Sequence, residues 1–121
     1  MQLTQERLEH LRSIAQIERD ALLEHEGRAG IDPLATLAQM PSIDEFVVVE
    51  LRNEMLEERG QLAEFSLARL AGRGTGPDAG VHRENADRVE FELLREIADG
   101  CPELTVAVWR VAGRMEGGQV A

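Results

Sequence analysis

The sequence predicts an all-α fold, a single domain of antiparallel four-helix-bundle-like form, and three observations carry that expectation. Apolar residues recur at three- and four-residue spacing in four separate stretches, as they do on helices with one buried face. Short breaks marked by glycine or proline join the stretches, with no convincing hairpin signal between them. At 121 residues the chain has the length of one ordinary domain with one core, so residues 1–121 form a single unit.

Thr4 caps the first helix, expected to run to about His25 with Leu8, Leu11, Ile14 or Ala15, Ile17, and Ala21 or Leu22 on its apolar stripe. His10 and His25 read as surface residues, because no Glu-x-x-His or His-x-x-x-His pair forms around them. The glycines of Gly27-Arg28-Ala29-Gly30 close that helix. Asp32 and Pro33 then open one or two helical turns near 33–39, stopped by Pro41. Ser42 and Glu45 form a capping-box signature for a central helix over 43–71, about 45 Å long at 1.5 Å per residue. Gly60 falls in its middle at a cost of roughly 1 kcal/mol relative to alanine. It is either simply tolerated there or marks the close approach of a neighbouring helix or ligand.

Gly72 to Gly80 holds four glycines in nine residues. It lacks the Gly-x-x-x-x-Gly-Lys order of a phosphate-cradling loop and reads as a plain connection. A third helix follows over 82–99, and Pro102 starts a fourth over 102–115. Thr105 to Trp109 has strand propensity, but Leu104, Val108, Val111 and Met115 share a helical stripe. Trp109 is expected in the core, base stacking being its alternative use. Residues 116–121 read as a frayed tail.

The chain carries 23 acidic against 13 basic residues, a formal charge of −10, and every basic residue is arginine. Such a surface repels phosphate backbones, which argues against nucleic acid as a partner. Only 3% of residues are aromatic, so stacking platforms for single strands are lacking. No apolar run is long enough to span a membrane, and the acidic, polar N-terminus does not resemble a secretion signal, so a cytoplasmic location is expected. The lone Cys101 excludes an intramolecular disulfide and a four-cysteine zinc site.

The functional signal is acidic. Read as one helix, Val47, Leu51, Glu54, Glu58, Gln61, Phe65 and Ala68 form a stripe that is apolar at both ends and acidic in the middle. The third helix places Glu84, Asp87, Phe91 and Leu94 on a similar stripe. Two facing helices that each offer two polar acceptors would make a cage of oxygens, the environment of hard cations such as Mg²⁺.

Glu57-Glu58-Arg59-Gly60-Gln61-Leu62-Ala63-Glu64 resembles the Glu-Glu-x-Gly-Glu-Leu-Ala-Glu run of the MazG-type nucleoside triphosphate pyrophosphohydrolases. Glu84-Asn85-Ala86-Asp87 resembles that family's Glu-x-x-Asp motif, and the likeness spans about 43–115. It implies cleavage of a nucleoside triphosphate to the monophosphate and pyrophosphate in an all-α homo-oligomer, a dimer or a dimer of dimers. On this likeness Glu58, Gln61, Glu84 and Asp87 would hold Mg²⁺ or Mn²⁺, and Glu57, Glu54 or Glu64 would orient the attacking water. Arg83, Arg88 and Arg95, or Arg59, would contact phosphate. Gln61 stands where the family has glutamate, which removes one negative charge from the set. The spacing of Glu45, Glu54, Glu57, Glu58 and Gly60 also resembles a Nudix box, but Gln39 and Asn53 replace the glycine and arginine that box requires. The alternative is a non-enzymatic acidic helical scaffold or binding protein with a degenerate metal site. In that case the acids are solvated or paired along the helix, as Glu84 with Arg88 and Arg88 with Glu92.

Overall fold

A computed structural model describes residues 2–30 and 40–120, with side chains described as far as Arg114. The chain is all-α: helices α1 (Gln5–Arg28), α2 (Ile43–Glu58), α3 (Leu62–Gly72), α4 (Ala79–Gly100) and α5 (Thr105–Val120), with a 3-10 turn at Pro102–Leu104 before α5. No strand occurs among the described residues, so the Thr105–Trp109 ambiguity resolves to helix. The helical turn expected near 33–39 lies outside the described residues.

Thr4 caps α1 as its sequence requires, its hydroxyl accepting from the Arg7 N–H. Leu8, Leu11 and Ala15 are buried from this helix, whereas Ile17 on the same expected stripe is 70% exposed. Only the N-terminal half of α1 therefore contributes to the core. Two arginines tie it to α2: Arg12 bonds Asp44 through Nε at 2.8 Å and Nη2 at 3.1 Å, and Arg7 pairs with Glu54.

The expected single helix over 43–71 is two helices. Gly60 adopts a φ of +67°, a left-handed conformation that an L side chain reaches at a cost of about 1–2 kcal/mol. The Gly60 N–H then bonds the Glu57 carbonyl at 3.0 Å and the Gln61 N–H bonds the Leu56 carbonyl at 2.8 Å. This is the paired closure of a Schellman motif, which satisfies the last carbonyls of α2. Helical spacing alone cannot distinguish a glycine inside a helix from one that ends it. Nothing lies within 4 Å of where a Gly60 Cβ would stand, so close approach is not its role.

Helix α2 packs against each of the other four helices and supplies Val47, Val48, Leu51, Met55 and Leu56 to the core. Leu93, Leu94 and Ile97 of α4 meet them, with Leu104, Ala107, Val108, Val111 and Ala112 from the last segment. Each large side chain fully buried here contributes about 2 kcal/mol. The last helix continues to Val120, past the expected end at 115 and through most of the segment read as a frayed tail.

Helices α3 and α4 lie against each other closely where α3 ends. A Cβ on Gly72 would stand 3.1 Å from both the Cα and the backbone N of Arg83. Gly72→Ala must therefore push backbone from backbone. It is expected to cost about 1–3 kcal/mol, measured as a lower urea midpoint. Gly60→Ala should lose about 1–2 kcal/mol for the different reason of its φ. A Gly72→Ala protein as stable as the parent would show that the two helices separate freely.

Candidate functional site

The acids singled out by sequence lie on three helices, α2, α3 and α4. Glu58 and Glu57 end α2 and are exposed; Gln61 is exposed beyond the break, at the start of α3, where its side chain makes no capping bond. Glu84 is exposed on α4. Only Asp87 of the four expected metal ligands is partly buried, and its Oδ1 accepts from Arg69 Nη1 at 2.6 Å. Among the described residues no three Asp, Glu, His or Cys side chains come together as a metal-binding group would require. The turn at Gly60 places Glu58 at the end of α2 and Gln61 at the start of α3, so the two do not share one continuous helical face.

The expected phosphate contacts are also spread. The Arg83 guanidinium donates to the Gly72 carbonyl, at 2.9 Å from Nη2, and so ties α4 to the end of α3. Arg88 donates to Asn85 at 3.4 Å, a long contact on the surface, while Arg95 is exposed. Arg59 bonds Glu96 across from α2 to α4. Glu54, expected to orient water, is held by Arg7.

What the tertiary structure assembles in the interior is a different group. Glu90 is 2% exposed on the face of α4 that also buries Ala86, Leu93, Leu94 and Ile97. One carboxylate oxygen accepts from Arg52 Nη1 of α2 at 2.6 Å, and the other accepts from Arg69 of α3. Arg69 reaches on to Asp87, and Arg52 donates to Asn53 Oδ1 as well. Both guanidiniums lie over the Phe65 ring, 5.3 and 5.4 Å from its centroid. Two positive and two negative groups thus neutralise one another around an aromatic ring, with each carboxylate oxygen of Glu90 bonded by a charge-assisted donor. Burial alone would lower the Arg69 pKa, but hydrogen bonds to Asp87 and Glu90 more than reverse this and raise it.

The true buried face of α4 is turned from the expected one: Phe91 is exposed and Glu90 is inside. The signal was present in the sequence, since Ala86, Glu90, Leu93, Leu94 and Ile97 is the better helical stripe and Glu90 is the acid within it. Arg52 and Arg69, interleaved with apolar residues in VVVELRNEML and FSLARLAG, are the cations such an acid needs.

Glu45 is a second buried acid, also 2% exposed. The capping box forms as expected: the Ser42 hydroxyl accepts from the Glu45 N–H, and the Glu45 carboxylate accepts from the Ser42 N–H. That carboxylate also accepts from Arg114 Nε at 2.9 Å, which fastens α5 to the start of α2. Burial drives the Glu45 carboxyl up, yet the bonds from Arg114 and Ser42 outweigh it and hold the pKa below the ordinary glutamate value. A depressed carboxylate stabilises the fold fully above its unfolded value of about 4.3 and loses that contribution as pH falls through its folded value. The stability difference between the parent and Glu45→Gln should accordingly be largest at neutral pH and shrink toward pH 3. Melting curves across that range check it; a difference that stays constant would mean the charge on Glu45 contributes nothing.

Among the described residues, two concave surfaces bear on function. A small cleft of about 180 Å³ lies where α3 meets α4, lined by Gln61, Glu64 and Phe65 on one side and Asn85, Ala86 and Arg88 on the other. A broader open groove of about 850 Å³ runs between α1, the start of α2 and the last segment, with Ile17, Ile43, Val106 and Ala107 on its apolar walls. Trp109 of α5 is 72% exposed, so the expected core tryptophan is a surface residue. Its neighbours Val108, Val111 and Ala112 occupy the inward face instead.

The fold and this site define the chain as an all-α protein with an internally neutralised arginine–carboxylate core and an open apolar groove. No protein-family model, curated protein or solved structure gives a significant match to it. No helix among the described residues is long and apolar enough to cross a membrane.

Proposed function

We propose that this chain is a non-enzymatic helical interaction protein that works through the apolar groove between α1 and α5. The observation that carries this reading is the exposure of Ile17 and Val106, at 70 and 62%, in the lining of that groove, with Trp109, 72% exposed, one turn from Val106 on α5. In a chain with 30% charged residues, such a cluster of large apolar side chains on one face is costly unless something covers it. The most buried acids support the same reading from the other side. Glu90, Asp87 and Glu45 are held by Arg52, Arg69 and Arg114, so their cations are supplied by the chain itself.

A second reading, a pyrophosphohydrolase resembling the MazG type, draws on the small cleft, where Gln61 and Glu64 of one motif segment face Asn85 and Arg88 of the other. Calorimetric titration of Mg²⁺ and Mn²⁺ into the purified protein, with a screen for pyrophosphate release from the common nucleoside triphosphates, separates the two. The interaction reading expects no saturable heat and no pyrophosphate above the protein-free control. Metal-dependent release that is lost in Asp87→Asn would overturn it in favour of the hydrolase.

A further inference from the structure

The outward stripe of the last segment is self-complementary. Glu103, Val106 and Arg110 stand three and four residues apart and therefore share a face, with Trp109 beside them. Glu103 is half-exposed, and its only ion pair among the described residues is a long one to Arg12, at 3.5 Å. Arg12 is already engaged with both oxygens of Asp44. Arg110 is exposed and makes no hydrogen bond or ion pair with any described residue. One face thus presents an acid and a base seven residues apart, about 10 Å along the helix axis, with an apolar centre between them.

We infer, extending the interaction reading on which this rests, that the occupant of the face is a second copy of this chain. The two copies pair α5 antiparallel about a two-fold axis between Val106 and Ala107. In an antiparallel helix pair the numbers of opposed residues sum to a constant. An axis between residues 106 and 107 therefore sets Glu103 of each copy opposite Arg110 of the other, and both pairs close at once. This is the isologous arrangement of a two-fold dimer. The Val106 side chains of the two copies lie within one residue of the axis and form the apolar centre, and Trp109, one turn along the same outward side, flanks them. A buried tryptophan with a charged rim is the common energetic core of such a contact. The formal charge of −10 on each copy opposes association. At physiological ionic strength, however, screening acts over about 8 Å, so the local pairs decide the contact.

The test is sedimentation of the full chain across a wide range of protein concentration, with emission of the sole tryptophan read in parallel. A monomer–dimer equilibrium is expected, Trp109 emission shifting to shorter wavelength as dimer forms. Glu103→Arg and Arg110→Glu, each placing like charges across the axis twice, should weaken the dimer at least tenfold. The double swap of both should restore it to near the parent value. Val106→Glu should abolish dimerisation while leaving the melting temperature of the dilute protein unchanged, since Val106 is exposed in the single chain. A chain that stays monomeric at every concentration overturns the proposal. So does a dimer that the single charge changes leave intact, or one that the double swap fails to restore. None of these readouts depends on catalysis, so pyrophosphate release, which would end the interaction reading, is scored separately.

Discussion

Replacing Glu90 by leucine is expected to destabilise the protein by about 3–5 kcal/mol, because it leaves two guanidiniums held against Phe65 without the carboxylate that both share. Among the described residues, Arg52 would keep only Asn53 as a hydrogen-bond acceptor, and Arg69 only Asp87. The opposing consideration is that a buried ion pair owes much of its attraction to repaying desolvation, so the intact network is worth far less than its rupture costs. Glu90→Gln, which keeps the shape and one acceptor oxygen, should fall between the parent and Glu90→Leu. Urea denaturation followed by circular dichroism gives the difference directly, and for a chain of this size the leucine variant should melt more than about 10 °C lower. A loss below about 1 kcal/mol would mean that both arginines escape to water when Glu90 is removed. The contribution of Glu90 should also persist in high salt, since screening acts weakly on a buried group. Arg7 with Glu54 and Arg59 with Glu96, both on the surface, should contribute little and lose that little as salt is added.

The second large effect separates two apolar residues that periodicity alone treats alike. Ile97→Ala is expected to cost about 2–5 kcal/mol, since Ile97 is fully buried among the residues of α2 and the last segment and its removal leaves a cavity. Trp109→Ala removes a larger side chain, yet in dilute protein it should change stability by less than about 0.5 kcal/mol, as surface substitutions do. Thermal melts at low protein concentration measure both. At high concentration Trp109→Ala should lose whatever stabilisation association supplies. A large loss for Trp109→Ala in dilute protein would place the indole in the core.

Much of the local structure was legible in the chain. Thr4 capping α1, the reciprocal Ser42–Glu45 box and the restart at Pro102 follow from side chains that satisfy helix-end N–H groups, or from a residue that cannot donate one. The all-α class follows from apolar spacing. The break at Gly60 was a misread case of the same local chemistry. Glycine is compatible with both a helix interior and a left-handed terminus, and only the closing bonds from Gly60 and Gln61 to the carbonyls of Glu57 and Leu56 distinguish them.

The candidate site was less legible, and for a different reason. Acidic residues at helical spacing show that carboxylates share a face; they do not show what neutralises them. A metal ion and an arginine from another helix are equivalent answers along one sequence, and the choice depends on which helices pack together. Here α2 and α3 bring Arg52 and Arg69 onto α4, so Glu90 and Asp87 receive guanidiniums, and a one-position rotation of α4 puts Glu90 inside and Phe91 out. The all-α class, the Thr4 and Ser42 caps and the net charge are set by the sequence itself, because they are properties of composition and of neighbours along the chain. Only the tertiary structure decided that arginine is the partner of Glu90, that Trp109 faces outward and that Ile17 is left uncovered. Burial and ion pairing depend on contacts between residues as far apart as Glu45 and Arg114, which no spacing within a helix encodes.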